Sequence, residues 1–269
     1  MNGRGMILRI WAIALNTFRE GSRNRVLYGI AVVAFLSIMA ATVLGEMSLH
    51  EEARVARDVG LSGVSLFGSL TAIVLGVSLL YGEIQRRTIH TIVSKPIHRF
   101  EFVLGKYLGM ALMLCVIVAV FTASMALLLK IQDVPFSTAV TKAVVLSFVE
   151  VLLIAAVAIF FSSFSSPFLS GVFTLGVFVL GRTTGAMREA LAGDKFDGLI
   201  ELGLRVGTNI VPDLHLFSVS GSTVKGEHVS VHSDFVSWGY VASASTYGAL
   251  YITALLALAI LIFSRRDFA

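Results

Sequence analysis

Long apolar runs alternate with short polar segments along most of this chain. Five of the runs cover residues 26–45, 61–82, 107–129, 140–161 and 247–263. Their apolar positions are continuous and do not alternate with polar ones, which favours helices over half-buried strands. A helix needs about 20 apolar residues to cross the hydrocarbon core of a bilayer. Each of these runs therefore predicts a transmembrane helix.

A further apolar run covers residues 168–181 and ends at Arg182 after only 14 residues. At about 1.5 Å per residue, a helix of that length is too short to cross a core of about 30 Å. Either the helix continues to residue 192 with Arg182 snorkelling towards the membrane surface, or the segment is re-entrant. We favour the continuous helix, which gives six spans.

The segment before the first span has a different periodicity. Within residues 1–25, Ile7, Trp11, Ala14 and Phe18 follow helical spacing, and most polar residues lie away from them. This pattern is typical of an amphipathic helix that lies in the membrane interface.

Composition supports the membrane interpretation. The 269-residue chain is 56% hydrophobic and only 14% charged, whereas a soluble domain carries about 25% charged residues. No internal repeat divides it, so residues 1–269 are predicted to form one domain. Its fold class is an all-α polytopic membrane protein with an external helical region, residues 182–246, between spans five and six.

The distribution of charge predicts the orientation. Twelve of the 21 lysines and arginines fall in the N-terminal segment, in the polar stretch between the second and third spans, and at the C-terminus. Basic residues near helix ends favour the cytoplasmic side, so both termini are predicted to be cytoplasmic. The net charge of +4 needs no nucleic-acid partner to explain it.

The usual signatures of catalysis are missing from the sequence. Gly105-Lys106 lacks the upstream glycine and the following Ser or Thr of a phosphate-binding loop, and no H-E-x-x-H motif occurs. No cysteine pair has metal-ligand spacing, because Cys115 is the single cysteine. We expect no enzymatic activity and no directly bound cofactor or metal.

Glu150 is the carboxylate at the centre of a predicted span. An ionisable residue in a membrane span is a candidate functional residue, and one such function is proton relay. Alternatively, Glu150 accepts hydrogen bonds from neighbouring Ser or Thr residues, or it is protonated inside the bundle. The sequence leaves these readings open.

The polar stretch between the second and third spans is the most charged internal segment. Ile84, Thr88 and Ile92 fall on one face of a possible short helix, and Pro96 would end it. Such a helix, joined to two spans, can transmit a displacement to both. From the residues alone, an ordinary basic loop is slightly favoured.

This stretch resembles the loop between the second and third helices of ABC type-2 permeases, with its pattern E-x-x-R-x-T, then S-x-P, then R-x-E-x-x-x-G-K. Arg87 departs from the pattern, since a glycine often precedes the threonine. The resemblance implies that residues 83–102 contain a coupling helix that contacts an ATPase. Its residues would be Glu83, Arg86, Arg87, Thr88, Ile89, Ile92, Ser94, Lys95, Pro96, Arg99 and Glu101.

Three other segments carry the resemblance over nearly the whole chain. FREGSRNR before the first span resembles the family's interfacial helix, and IFSRRDFA resembles its F-x-x-R-D terminus. VPDLHLF is similar to the external P-x-L-x-x-F motif, here Pro212, Leu214 and Phe217. The branch most similar is that of multi-copper enzyme maturation permeases, which includes the nitrous oxide reductase accessory permease.

The resemblance implies the permease subunit of an ATP-driven exporter in the bacterial inner membrane, surrounded by lipid. Its partners would be a second permease copy or homologue and two cytosolic ATPase subunits that bind ATP and Mg²⁺. A periplasmic accessory protein is a further candidate partner. Two alternatives remain: a proton-coupled secondary carrier that uses Glu150, and a mechanotransmission subunit that acts on an external partner through residues 182–246.

Overall fold

A computed structural model describes residues 3–46, 52–85, 98–131, 136–192, 198–218, 220–224, 227–230 and 237–265. Eight α-helices lie within these ranges. They are α1 (Gly3–Ser22), α2 (Arg25–Glu46), α3 (Glu52–Gln85), α4 (Arg99–Ile131), α5 (Thr138–Ser162), α6 (Pro167–Ala192), α7 (Leu199–Ile210) and α8 (Trp238–Arg265). A 3-10 helix, Leu214–Phe217, and two strands, β1 (Ser220–Val224) and β2 (Glu227–Ser230), lie between α7 and α8.

Five helices in the described ranges are long and apolar enough to cross a membrane, namely α3, α4, α5, α6 and α8. This confirms a multi-pass helical membrane protein. The predicted first span lies in α2 (Arg25–Glu46), which is not among these five. Six spans and two cytoplasmic termini therefore remain predictions.

Helix α5 is the centre of the bundle and packs against α3, α4, α6 and α8. Its sequence explains this position, because small buried residues let neighbouring helices approach closely. Gly76 of α3 packs on Ala158, and an ideal Cβ at Gly76 would lie only 2.4 Å from the Ala158 Cβ. Ser137 begins α5 as its N-cap, and its side chain accepts a hydrogen bond from the Val140 N–H.

Helix α1 packs along α4. The predicted amphipathic helix is present, but its apolar residues divide between two faces. Ala14 is completely buried against α4, whereas Ile7 and Trp11 are at least half exposed. The exposed face retains the apolar character expected at a membrane interface.

Several helices extend beyond the predicted apolar runs. The third span was predicted to begin at Tyr107, but α4 begins at Arg99; the sixth was predicted from residue 247, but α8 begins at Trp238. Hydropathy detects only the part of a helix that lies in hydrocarbon, so polar helix ends escape it. The sequence SFSSP forms a short turn between α5, which ends at Ser162, and α6, which begins at Pro167.

The predicted external loop, residues 182–246, contains more regular structure than expected. Helix α6 continues through Arg182 to Ala192, which confirms the continuous helix and excludes the re-entrant segment. The predicted helix in residues 198–217 is α7 followed by the 3-10 helix. The short antiparallel hairpin of β1 and β2 was not predicted, because its serine-rich strands carry no apolar alternation.

Much of the predicted coupling loop lies outside the described residues. This applies to Arg86, Arg87, Thr88, Ile89, Ile92, Ser94, Lys95 and Pro96. Glu83 belongs to the last turns of α3. Arg99 and Glu101 belong to the first turn of α4, so both ends of the segment are helical.

Candidate functional site

The first turn of α4 is bound to α1 by a bidentate ion pair. Arg9 donates two hydrogen bonds to the Glu101 carboxylate, Nε to Oε2 at 2.9 Å and Nη2 to Oε1 at 2.8 Å. Glu101 is completely buried, whereas the Arg9 side chain is 39% exposed. The predicted coupling residue Glu101 therefore contacts α1 within its own chain.

Two glycines allow this close contact. An ideal Cβ at Gly109 would lie 2.4 Å from the carbonyl oxygen of Ala14, and one at Gly105 would lie 2.7 Å from the Ile13 Cβ. No side chain fits at either distance, so α1 and α4 meet backbone to backbone. Gly105 is the glycine of the G-K pair in the family pattern, and this close contact with α1 explains why a glycine is needed there.

Arg99 binds the end of α8. Its Nη1 donates to the carbonyl oxygens of Phe263 at 3.0 Å and Ser264 at 2.8 Å. The last carbonyls of a helix have no partner within the helix, and a basic side chain satisfies them and interacts favourably with the helix dipole. We refer to Arg9, Glu101 and Arg99 with these α8 carbonyls as the helix-base clamp.

Lys106 strengthens the same region. It is almost completely buried, and its Nζ lies 5.5 Å from the centroid of the Phe102 ring. The Phe102 ring in turn stacks on Phe263 of α8 with a centroid distance of 5.8 Å. An ammonium over an aromatic face is attracted by the ring. The base of α4 is thus joined to α1 and α8 by charge, hydrogen bonds and ring packing.

A second group of polar residues lies inside the candidate spans. Glu150 of α5 is completely buried and accepts hydrogen bonds from Arg182 of α6, at 3.0 Å from Nε and 3.2 Å from Nη2. Ser65 of α3 donates to the same carboxylate and accepts from Arg182 Nη2. We call Ser65, Glu150 and Arg182 the intramembrane polar cluster.

The cluster bears on two predictions. A hydrogen bond from a neighbouring serine to Glu150 was one of the readings left open, and Ser65 provides it. The expected snorkelling of Arg182 is wrong, because its guanidinium binds Glu150 inside the bundle. A charged group in a membrane span pairs with an opposite charge where one is in reach, and the Glu150 carboxylate lies 3.0 Å from the Arg182 Nε.

A small polar cavity adjoins the cluster. The cavity has a volume of about 30 Å³, which is room for about two water molecules. The Arg182 side chain is 29% exposed. The cavity is lined by Asp58, Leu61, Ser62, Ser65, Ala143, Ser147, Arg182, Phe217 and Ser218.

The external motif closes one side of this cavity. Leu214 and Phe217 are completely or almost completely buried, and Pro212 is buried as well. Leu214 packs on Gly181 of α6, where an ideal Cβ would lie 2.7 Å from the leucine Cγ. Phe217 packs near Gly248 of α8 and lines the cavity itself. We call residues 211–218 the external segment.

Hydrogen bonds fix the external segment to two helices. The Asp213 carboxylate accepts from Thr184 Oγ1 at 2.6 Å and from Arg188 of α6. The Asp213 N–H donates to the Tyr247 hydroxyl of α8 at 3.0 Å, and Tyr240 Oη donates to the Leu216 carbonyl at 2.6 Å. The segment is therefore attached to α6 and α8 at once.

Sequence reasoning missed several of these residues. Ser65, Thr184, Asp213 and the tyrosines of α8 carry no distinctive pattern. The Arg182–Glu150 pair did have a signal: opposite charges occur in two apolar segments that follow one another through a short turn. Consecutive antiparallel helices are neighbours, and charges inside membrane segments pair.

These features define a polytopic helical membrane protein with a buried polar cluster among its candidate spans and with the base of α4 bound to α1 and α8. The chain belongs to the ABC-2 family transporter proteins, whose family model matches residues 11–268. It is accordingly a permease, the membrane-transport component of an ABC transporter, and in such systems the ATPase activity generally lies in partner subunits. No curated protein matches the sequence significantly.

Proposed function

We propose that this chain is the permease subunit of an ATP-driven exporter in the bacterial inner membrane. It has six spans and two cytoplasmic termini, and it pairs with a second copy or a homologous permease. Two separately encoded cytosolic ATPases, which bind ATP and Mg²⁺, contact residues 83–102 and drive the spans through that segment.

The helix-base clamp is the observation that carries this proposal. Glu101 binds Arg9 of α1, and Arg99 binds the last carbonyls of α8. A displacement of the segment between α3 and α4 therefore reaches α1 and α8 through direct contacts. A loop that only connected two spans would need no such attachments at its base.

The energetics of coupling set a further requirement. ATP shifts the conformation of the permease only if the ATP-bound and ATP-free ATPases interact differently with it. The basic residues of segment 83–102 supply charges that such contacts use. Charge reversal at Arg86 and Arg87, which do not belong to the helix-base clamp, should consequently weaken coupling.

The test is the double substitution R86E/R87E, studied in the complex purified from native membranes in mild detergent. We expect loss of co-purification of the ATPases, or ATPase activity that is no longer stimulated by the permease. The matched control is R19E/R23E, which reverses two exposed charges of the same predicted cytoplasmic side. Unchanged stimulation in R86E/R87E would show that the segment is not the coupler.

A second candidate function is mechanotransmission to an external partner. The external segment is bound by hydrogen bonds to both α6 and α8, so movement of either helix reaches the outside surface. A periplasmic protein that co-purifies with the permease and detaches in the D213N variant would favour this function. The proton-carrier alternative predicts instead that transport continues without any ATPase and is abolished by E150Q.

The similarity to the multi-copper enzyme maturation branch also belongs to the proposal. It comes from the resemblance over nearly the whole chain, and it suggests a periplasmic accessory protein as partner. It does not identify a substrate. The proteins that co-purify with the chain would identify the ATPase subunits and the periplasmic accessory protein.

A further inference from the structure

We propose that the intramembrane polar cluster is a latch that keeps the permease closed towards the outside. In this role Arg182 holds α6 against α5 and α3, and opening requires its release from Glu150. The inference rests on the proposed ATP-driven function and assigns one step of it to particular residues.

The first argument is the connectivity of the cluster. Arg182 binds a carboxylate of α5 and a hydroxyl of α3 at the same time. Three candidate spans are thereby joined at one guanidinium, which also lines the polar cavity. Polar contacts of this kind are directional, so a modest rotation or shift of α6 breaks them together.

The second argument is that the two charged side chains differ in their exposure to water. Glu150 is completely buried, whereas the Arg182 side chain is 29% exposed and lines the polar cavity. Water in the cavity can hydrate the guanidinium as it leaves Glu150. A released Glu150 needs water as well, because a buried carboxylate without a partner is strongly unfavourable. Separation of the pair is thus linked to hydration of this region.

The third argument is the position of the external segment. Phe217 and Ser218 line the same cavity as Arg182 and Ser147. Leu214 of this segment packs on Gly181, the residue directly before Arg182. The external segment and the latch therefore share one helix, α6, and a movement of α6 displaces both. The cavity then becomes open to the external solution.

The experiment measures the access of water-soluble reagent to the cavity. Ser147 is 5% exposed and lines the cavity, so S147C is the reporter, in a C115S background because Cys115 is the single cysteine and is exposed. Right-side-out membrane vesicles are loaded with Mg-ATP or Mg-ADP and treated outside with a membrane-impermeant maleimide. S62C, at an exposed position of the cavity, reports the reactivity of an open site.

We expect slow labelling of S147C with Mg-ADP and faster labelling with Mg-ATP. In R182Q the latch is absent, so labelling with Mg-ADP should be about tenfold or more faster. The charge swap E150R/R182E restores an ion pair and should return the rate to within about threefold of the parent. The control R205Q removes an exposed Arg–Glu pair within α7 and should change nothing.

Folding is controlled separately. If R182Q does not accumulate in the membrane, E150Q/R182Q replaces it, since removal of both charges leaves no unpaired carboxylate. The same fast labelling with Mg-ADP is expected. The latch is overturned if R182Q, or E150Q/R182Q in its place, folds and the labelling rate of S147C with Mg-ADP is unchanged. It is also overturned if the charge swap folds but S147C is labelled as fast as in R182Q.

The outcome also separates the two proposals. If Mg-ATP has no effect in any variant but R182Q labels fast, ATP-driven function fails and the latch stands. If Mg-ATP accelerates labelling in the parent but R182Q labels as slowly as the parent with Mg-ADP, the latch fails and the ATP-driven function stands.

Discussion

Two glutamates at different levels of the bundle, Glu101 and Glu150, have the same environment. Each is completely buried, and each binds an arginine from another helix through two hydrogen bonds. Removing one partner of a buried ion pair leaves an uncompensated charge and costs about 3–5 kcal/mol. The arginines are partly exposed, so water solvates them more easily than it solvates the carboxylates.

At the residue scale, R9Q should lower the thermal stability of the protein more than the loss of an exposed ion pair does, because it leaves the Glu101 carboxylate without its counter-charge. The measurement is thermal unfolding of the detergent-purified protein. The hydrogen bond to Glu101 raises the pKa of the Arg9 guanidinium, which is in any case protonated throughout the pH range in which proteins are studied.

The swap R9E/E101R tests the origin of this loss, and we expect it to recover at least half of the stability. R205Q again serves as control, because its pair is an exposed i,i+4 contact worth about 0.5 kcal/mol or less. A loss in R9Q no larger than that in R205Q would contradict the prediction.

At the scale of helices, glycines determine which elements approach. Gly68 and Gly76 bring α3 onto α5, and Gly105 and Gly109 bring α1 onto α4. Gly68 and Gly76 lie in the second predicted span, and each contacts α5 closely. The partner helices were not predictable, because a glycine specifies a close approach but not the surface that makes it.

G109A should destabilise the protein by about 1–3 kcal/mol, since the new methyl group would lie 2.4 Å from the Ala14 carbonyl oxygen and α1 would have to move away from α4. Thermal unfolding measures the stability, and protease sensitivity of the N-terminal segment reports the detachment of α1.

The matched control is G176A, another glycine-to-alanine change within a candidate span. An ideal Cβ at Gly176 meets nothing within 4 Å. Alanine is the better helix former by up to about 1 kcal/mol, so stability should be unchanged or slightly higher. Equal losses in G109A and G176A would mean that contact with α1 is not the cause.

At the scale of the whole molecule, contacts between distant segments hold the two ends of the bundle. The helix-base clamp joins residues that are 92 and 165 positions apart in the sequence. The external segment joins α6 to α8 at the other end. The central helix α5 contributes Glu150 to the intramembrane polar cluster.

The pair G181C/L214C in a C115S background should form a disulfide under mild oxidation. An ideal Gly181 Cβ lies 2.7 Å from the Leu214 Cγ and 2.8 Å from the Pro212 carbonyl oxygen. A small shift of the external segment therefore accommodates the cysteine and leaves the two Cβ atoms within about 4.5 Å, the range that a disulfide requires. Non-reducing electrophoresis after cleavage at an engineered site between the two cysteines detects the bond.

The control pair is G176C/L214C. An ideal Cβ at Gly176 meets no atom within 4 Å, and Gly176 lies more than one turn before Gly181 in α6. The two control cysteines should remain reduced. Cross-linking of the control pair to the same extent would show that the external segment does not pack on Gly181.

The sequence by itself determined the membrane class, the approximate position of the spans and the family, because long apolar runs and local motifs depend on neighbouring residues only. It also placed Glu150 inside a span and favoured a continuous α6. The tertiary structure alone decided that Glu150 binds Arg182 and Ser65, that Glu101 binds Arg9, and that the external motif lies over a polar cavity. Such contacts join segments far apart in the chain, and their geometry depends on how the helices pack, which hydropathy and spacing do not encode.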